Sequence, residues 1–216
     1  MHGLYAIADR ALLGGRLLPA AAAALQGGAS LLQFRDKGED RQEREELARA
    51  LLALCRQHRV PLLINDDPGL AATIGADGVH LGSGDTGLPR ARAMLGERAL
   101  IGASCYNRLE LALKAQEEGA DYVAFGRFYP SRTKPEAVPC PVTLLGEARR
   151  HLSIPIVAIG GITTENGPRL LAAGADALAV IHGLFGQPDI EATTRTFHRI
   201  FCTTEARRSR SKSGSR

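Results

Sequence analysis

Four times along the chain a glycine, an alanine and a small polar residue separate a helix-like segment from an apolar run of strand length. Gly28-Ala29-Ser30 precedes the run 31–34, Gly75-Ala76-Asp77 precedes 78–80, Gly119-Ala120-Asp121 precedes 122–125, and Gly174-Ala175-Asp176 precedes 177–181. Successive glycines stand 47, 44 and 55 residues apart, room for two strand-helix units each time. Further apolar runs fall between the copies, at 61–64, 99–101 and 154–159, and the run 3–7 opens the chain. The tally is eight strands, each followed by a helical segment or by a polar loop leading into one. Such alternation predicts parallel strands with helical crossovers. Eight units predict an α/β fold closed into a single (β/α)8 TIM barrel. In that architecture chemistry sits on the loops that follow the strands, so the polar residues behind each apolar run are the candidates.

Length agrees with one domain, and 44% hydrophobic residues in 216 supply a core. No apolar run approaches the ~20 residues of a membrane span, and the amino terminus lacks the pattern of a signal peptide. Cys55, Cys105, Cys140 and Cys202 have no paired spacing, which reads as reduced thiols in a cytoplasmic protein. The net charge of +4 comes from the tail, where five cations stand among residues 207–216 without an acid, leaving −1 for the rest. The expectation is a barrel over 1–204 and a disordered, basic Ser/Arg-rich tail over 205–216. The body has no basic stripe, so neither nucleic acid nor membrane is an expected partner. Homo-oligomerisation is left open.

The strand exits carry the chemistry. The second ends in Gln33-Phe34-Arg35-Asp36-Lys37, and alternation aims Gln33, Arg35 and Lys37 to one side if the strand continues that far. Convergent cations at a barrel mouth suit a phosphate or diphosphate, the alternative being surface ion pairs with Asp36 or Glu39. The third and fourth strands end in Asn65-Asp66-Asp67-Pro68 and in His80 through Asp85. Asp66 and Asp85 can share a hard cation such as Mg2+, or each can cap a helix. His80, inside an apolar run, reads as a hydrogen-bonded packing residue. Ser104 is a donor at the fifth exit, where Asn107 reads as the cap of the next helix. The long loop 127–139 carries Ser131, Arg132, Thr133 and Lys134, and loops of that length in a compact barrel are usually functional. Gly160-Gly161 follows the seventh strand and Ile181-His182-Gly183 the eighth, where barrels bind phosphate through backbone N–H groups.

Taken together, Gln33 to Lys37, Asn65-Asp66, the stretch 75–85, Ser131-Arg132-Thr133-Lys134-Pro135 and Ala158 to Ile162 resemble the thiamine-phosphate synthase family, with the motifs in the family's order from about Leu4 to Phe185. The resemblance implies a Mg2+-dependent transferase. It joins 4-amino-2-methyl-5-(diphosphooxymethyl)pyrimidine to a thiazole phosphate, releasing diphosphate and thiamine phosphate. Carried over by motif, Gln33, Arg35, Lys37 and Asn65 hold the pyrimidine diphosphate, and Asp66 and Asp85 bind Mg2+. Ser104 and Lys134 contact the same substrate, Lys134 through its diphosphate, and Lys134, Ser104 and Arg35 are the catalytic set. Ser131, Thr133, Gly161, Ile181 and His182 face the thiazole phosphate.

Three positions depart from the family: Asp67 stands where arginine is usual, His182 where serine is usual, and Ala8 where threonine precedes the aspartate. Competing readings are a thiazole tautomerase of the same superfamily, which carries a histidine where this chain has Arg127, a non-catalytic phosphate-binding barrel, and a Schiff-base aldolase using Lys134.

Overall fold

A computed structural model describes residues 1–82, 87–131, 133 and 136–213, with side chains as far as residue 204. Eight strands alternate with helices: β1 (Gly3–Asp9), α1 (Arg10–Leu13), a 3-10 turn (Gly14–Arg16), α2 (Leu17–Gln26), β2 (Leu31–Arg35), α3 (Arg41–His58), β3 (Leu62–Asn65), α4 (Pro68–Ile74), β4 (Gly78–Leu81), α5 (Leu88–Leu95), β5 (Leu100–Tyr106), α6 (Leu109–Glu117), β6 (Tyr122–Phe125), α7 (Thr143–His151), β7 (Ile156–Ile159), α8 (Gly167–Ala173), β8 (Ala177–Val180), α9 (His182–Phe185) and α10 (Ile190–Ser213). Each strand pairs in parallel with the next and β8 pairs with β1, closing the barrel.

The Gly-Ala-Asp units are the fasteners of this barrel's floor. Each glycine takes a positive φ (98°, 70°, 87° and 124°) just past a helix. Each following alanine donates its N–H back into the last helical turn: Ala29 to Ala24, Ala76 to Ala71, Ala120 to Ala115, Ala175 to Leu170. That is the bonding of a left-handed helix cap. The third residue then reaches sideways. Asp77, Asp121 and Asp176 accept the N–H of Leu62 (2.8 Å), Ile101 (2.7 Å) and Ile156 (2.8 Å), each near the start of the preceding strand. They also pair with Arg56, Arg92 and Arg149 of the helices α3, α5 and α7. Ser30 keeps the backbone half of this arrangement, donating its N–H to the Leu4 carbonyl.

Strand alternation sorts the core into two parts. Leu4, Ala6 and Ala8 of β1 pack outward with the helices, whereas Tyr5 and Ile7 point into the barrel with Leu31, Leu63, Tyr122, Val157 and Ala179. The Tyr122 ring needs Gly102 opposite, where a Cβ would stand 2.0 Å from Cζ.

Four details of the helices complete the fold. The buried face of α3 consists of Ala48, Leu51 and Cys55, with Leu47 and Leu54 flanking it. Asn107 caps nothing: α6 begins after Arg108, and the Asn107 amide donates to the Pro139 carbonyl (3.3 Å). A short helix and a 3-10 turn fill the span before α2. Helix α10 spans Ile190–Ser213, a stretch that no glycine or proline interrupts.

Candidate active site

The C-terminal strand ends surround a cavity of about 280 Å³. Gln33 and Arg35 of β2, Asn65 of β3 and Ser104 of β5 line one part of it; Ser131, Thr133, Gly161, Ile181 and His182 line another. The barrel thus brings together nine of the residues singled out in the sequence.

Arg35 is held from behind. Asp9, 3% exposed at the end of β1, accepts from the N–H groups of Ala11 (2.9 Å) and Leu12 (3.3 Å) through Oδ1 and pairs with the Arg35 guanidinium through Oδ2. The carboxylate caps α1 and fixes the arginine at once. Neither of the rival ion pairs foreseen for this segment forms as such: Asp36 is taken by Arg10 (2.9 Å), and Lys37 pairs with Asp66. Strand β2 stops at Arg35, so alternation does not extend to Lys37, which is half exposed at the outer rim and does not line the cavity.

Asp66 likewise stands at the rim and not in the cavity wall. Its backbone is left-handed (φ 62°), a region that aspartate enters more readily than most residues, and its Oδ2 accepts from both Lys37 and the Asn65 amide (2.5 Å). Asp67 is a helix cap: Oδ1 accepts the Leu70 N–H at 2.8 Å, with Pro68 in the first turn of α4. An acid at this position therefore serves α4. Asp85 and Lys134, together with Arg132, lie outside the described residues. Among the described residues no group of three or more His, Cys, Asp or Glu could hold a metal ion.

On the other side of the cavity two loops touch through glycine. A Cβ on Gly161 would lie 2.3 Å from the Pro130 carbonyl oxygen, and one on Gly160 would lie 2.4 Å from Arg127 Cβ. The loop after β6 therefore rests directly on the loop after β7, and the Tyr129 N–H donates to the Gly160 carbonyl (3.0 Å). Arg127 braces the return of the long loop, donating through Nε to the Ala137 carbonyl (2.6 Å), and its own side chain faces the cavity.

The sequence reading did not point to Tyr5 and Tyr122, which join Gln33, His80 and Ser104 at the base of the cavity. Gln33 Nε2 donates to Tyr5 Oη, which bonds Tyr122 Oη (2.9 Å). Tyr122 Oη bonds His80 Nδ1 (2.9 Å), and His80 Nε2 bonds Ser104 Oγ (2.9 Å). Burial pushes both phenols well above their ordinary range, so they stay protonated. The signal was present: Tyr5, Gln33, His80, Ser104 and Tyr122 are the polar interruptions of apolar strands, and His80 is indeed a hydrogen-bonded packing residue. It also lines the cavity.

The fold and this rim define a (β/α)8-barrel protein with a cavity of small-molecule size above a buried hydrogen-bond chain. Within that class, the chain belongs to the thiamine monophosphate synthase family, which matches residues 4–184. It is 53% identical over 202 residues to the thiamine-phosphate synthase of Nitrosococcus oceani, covering 93% of each chain. It is 52% identical to that of Thioalkalivibrio sulfidiphilus, covering 93% of this chain and 96% of the other. Among solved structures, the thiamine phosphate pyrophosphorylase of Pyrococcus furiosus superposes with a TM-score of 0.86 at 33% identity, covering 94% and 96% of the two chains.

Proposed function

We propose that the chain is a thiamine-phosphate synthase, a transferase that joins an aminopyrimidine methyl diphosphate to a thiazole phosphate in this cavity. Together with the family match, the convergence of two sets of residues on one space supports the reading. Arg35, Gln33, Asn65 and Ser104 offer a cation, amides and a hydroxyl to the pyrimidine diphosphate. Ser131, Thr133, Gly161, Ile181 and His182 offer hydroxyls and backbone N–H groups to the thiazole phosphate. Glycine contact between the loops after β6 and β7 leaves the second set close-packed, which favours binding through the main chain. That route remains open with His182 in place of serine.

In the reaction, the bond from the benzylic-type carbon to the diphosphate oxygen breaks and the diphosphate leaves with the electron pair. The carbon, made cationic and stabilised by the electron-rich aminopyrimidine, accepts the lone pair of the thiazole nitrogen and a C–N bond forms. Such chemistry asks the protein for positioning and for stabilisation of a leaving anion more than for a strong base. Arg35, steadied by Asp9, sits where it can meet that anion. Lys37, at the rim, and Lys134 are assigned the same task, and Ser104 orients the pyrimidine. Asp66 is a hard oxygen donor beside Lys37, and Mg2+ takes one or two carboxylates with the remainder from phosphate and water, so the chemistry of Asp66 and of Asp85, assigned from the sequence, suits Mg2+. When bound there, Mg2+ would neutralise charge on the departing diphosphate. Burial pushes the thiols of Cys55, Cys105 and Cys140 up to about 12 and keeps them unreactive, in keeping with a cytoplasmic enzyme.

The test is direct. Purified protein with both substrates and Mg2+ should release thiamine phosphate and diphosphate, detected by chromatography, and EDTA should stop it. No product in the presence of Mg2+ would reject the reaction, and full activity in EDTA would reject Asp66 and Asp85 as metal ligands.

A further inference from the structure

The buried chain Gln33–Tyr5–Tyr122–His80–Ser104 has a sense of direction, because a protonated phenol carries one hydrogen. Gln33 Nε2 donates to Tyr5, so Tyr5 must place its own hydrogen on Tyr122, since Gln33 and Tyr122 are its polar partners among the described residues. Tyr122 is fully buried and must in turn donate to His80 Nδ1 (2.9 Å). With the Gln33 amide nitrogen toward Tyr5, reversing either bond would leave a phenolic hydrogen buried without an acceptor, at a cost of about 1–3 kcal/mol; turning the amide over would reverse the whole chain, and the His80 tautomer distinguishes the two. With Nδ1 accepting, the His80 proton is on Nε2, which donates to Ser104 Oγ (2.9 Å). The hydrogen of Ser104 is then directed toward the cavity that its side chain lines, and Gln33, whose amide nitrogen is committed to Tyr5, offers its carbonyl oxygen to the same cavity.

We infer that Tyr5, Tyr122 and His80 are positioning residues: they set Ser104 as a hydrogen-bond donor and Gln33 as an acceptor, each of fixed sense, toward the pyrimidine ring. The inference rests on the reaction assigned above. An aminopyrimidine carries an amino group that donates and ring nitrogens that accept, which is the complement of that pair. A 4-oxo analogue would have a donor and an acceptor exchanged along its edge. Tyr122 does not line the cavity, so any effect it has on the reaction travels through the chain.

Nitrogen-15 NMR of histidine-labelled protein, with the His80 signals assigned by their loss in His80→Gln, should show one neutral tautomer with the proton on Nε2. Tyr122→Phe should yield a tautomer mixture and lower kcat/KM for the pyrimidine diphosphate about tenfold, the usual scale for a residue that orients a ligand-contacting group. In a Ser104→Ala background the same change should have almost no further effect. A proton on Nδ1 in the wild type, or an equal loss with and without Ser104, would overturn the inference. If Tyr122→Phe does not fold, the wild-type His80 tautomer carries the test alone, a proton on Nε2 supporting the chain and one on Nδ1 overturning it. An inactive wild type with the Nε2 proton would reject the assigned reaction while supporting the chain.

Discussion

At the scale of single residues, Asp9 shows how much a buried carboxylate can be asked to do. It caps a helix with one oxygen and holds Arg35 with the other. Asp9→Asn retains the capping oxygen but turns an amide, without charge, toward the guanidinium. The expected outcome is a KM for the pyrimidine diphosphate raised about tenfold, equal to about 1.4 kcal/mol of binding, with the KM for the thiazole phosphate unchanged. Steady-state kinetics with each substrate varied in turn decides it, and an equal rise in both would show a general loosening. The cavity-facing residues on strand exits (Gln33, Arg35, Asn65, Ser104) were legible in the sequence because residue type and position behind an apolar run both mark them. The partners of those residues were not. Asp9 and Tyr5 meet Arg35 and Gln33 only because β1 and β2 pair in a register that places Ile7 beside Gln33 and Asp9 beside Arg35. Register between strands leaves no trace in a single chain of letters.

At the scale of elements, strands and their order were legible because each apolar run is followed within two residues by glycine or aspartate. Helix ends were less so: Asn107 is a good capping residue, yet its amide donates to the Pro139 carbonyl and α6 begins after Arg108. The clasp at Asp121 is a fair test of what the repeated unit contributes. Asp121→Ala removes the acceptor of the Ile101 N–H and the partner of Arg92. An unsatisfied backbone donor costs about 1–3 kcal/mol, or roughly 2–4 °C of Tm for each kcal/mol in a chain of this size. Because the clasp lies at the opposite end of β5 and β6 from Ser104 and the β6 loop, kcat should not change. Calorimetry beside a turnover assay separates the two. A Tm equal to wild type would show that the clasp contributes little, and a fall in kcat of the folded protein would show that the floor and the rim are coupled.

For the molecule as a whole, burial of ionisable groups sets an alkaline limit. Cys55, Cys105 and Cys140 are raised from 9.0 to about 12, and Tyr5 and Tyr122 are raised above their ordinary 10.0, all chiefly by desolvation. The folded state therefore holds protons that the unfolded chain releases, first from thiols and then from phenols. Their stabilisation is complete below those unfolded values and is lost as pH rises, each group removing at most about 1.4 kcal/mol per pH unit. Urea midpoints should be level from pH 8 to about 9 and fall beyond it, whereas a level or rising midpoint to pH 10.5 would contradict the burial described here. The Gly-Ala-Asp units carry a different kind of consequence. Every carboxylate clasp joins an odd strand to the even strand that follows it, at the floor, while the residues assigned to substrate stand at the rim. Closure of the barrel and choice of ligand are thereby entrusted to opposite ends of the same strands. The vocabulary of the upper loops can be rewritten without renegotiating the joints that keep the barrel shut.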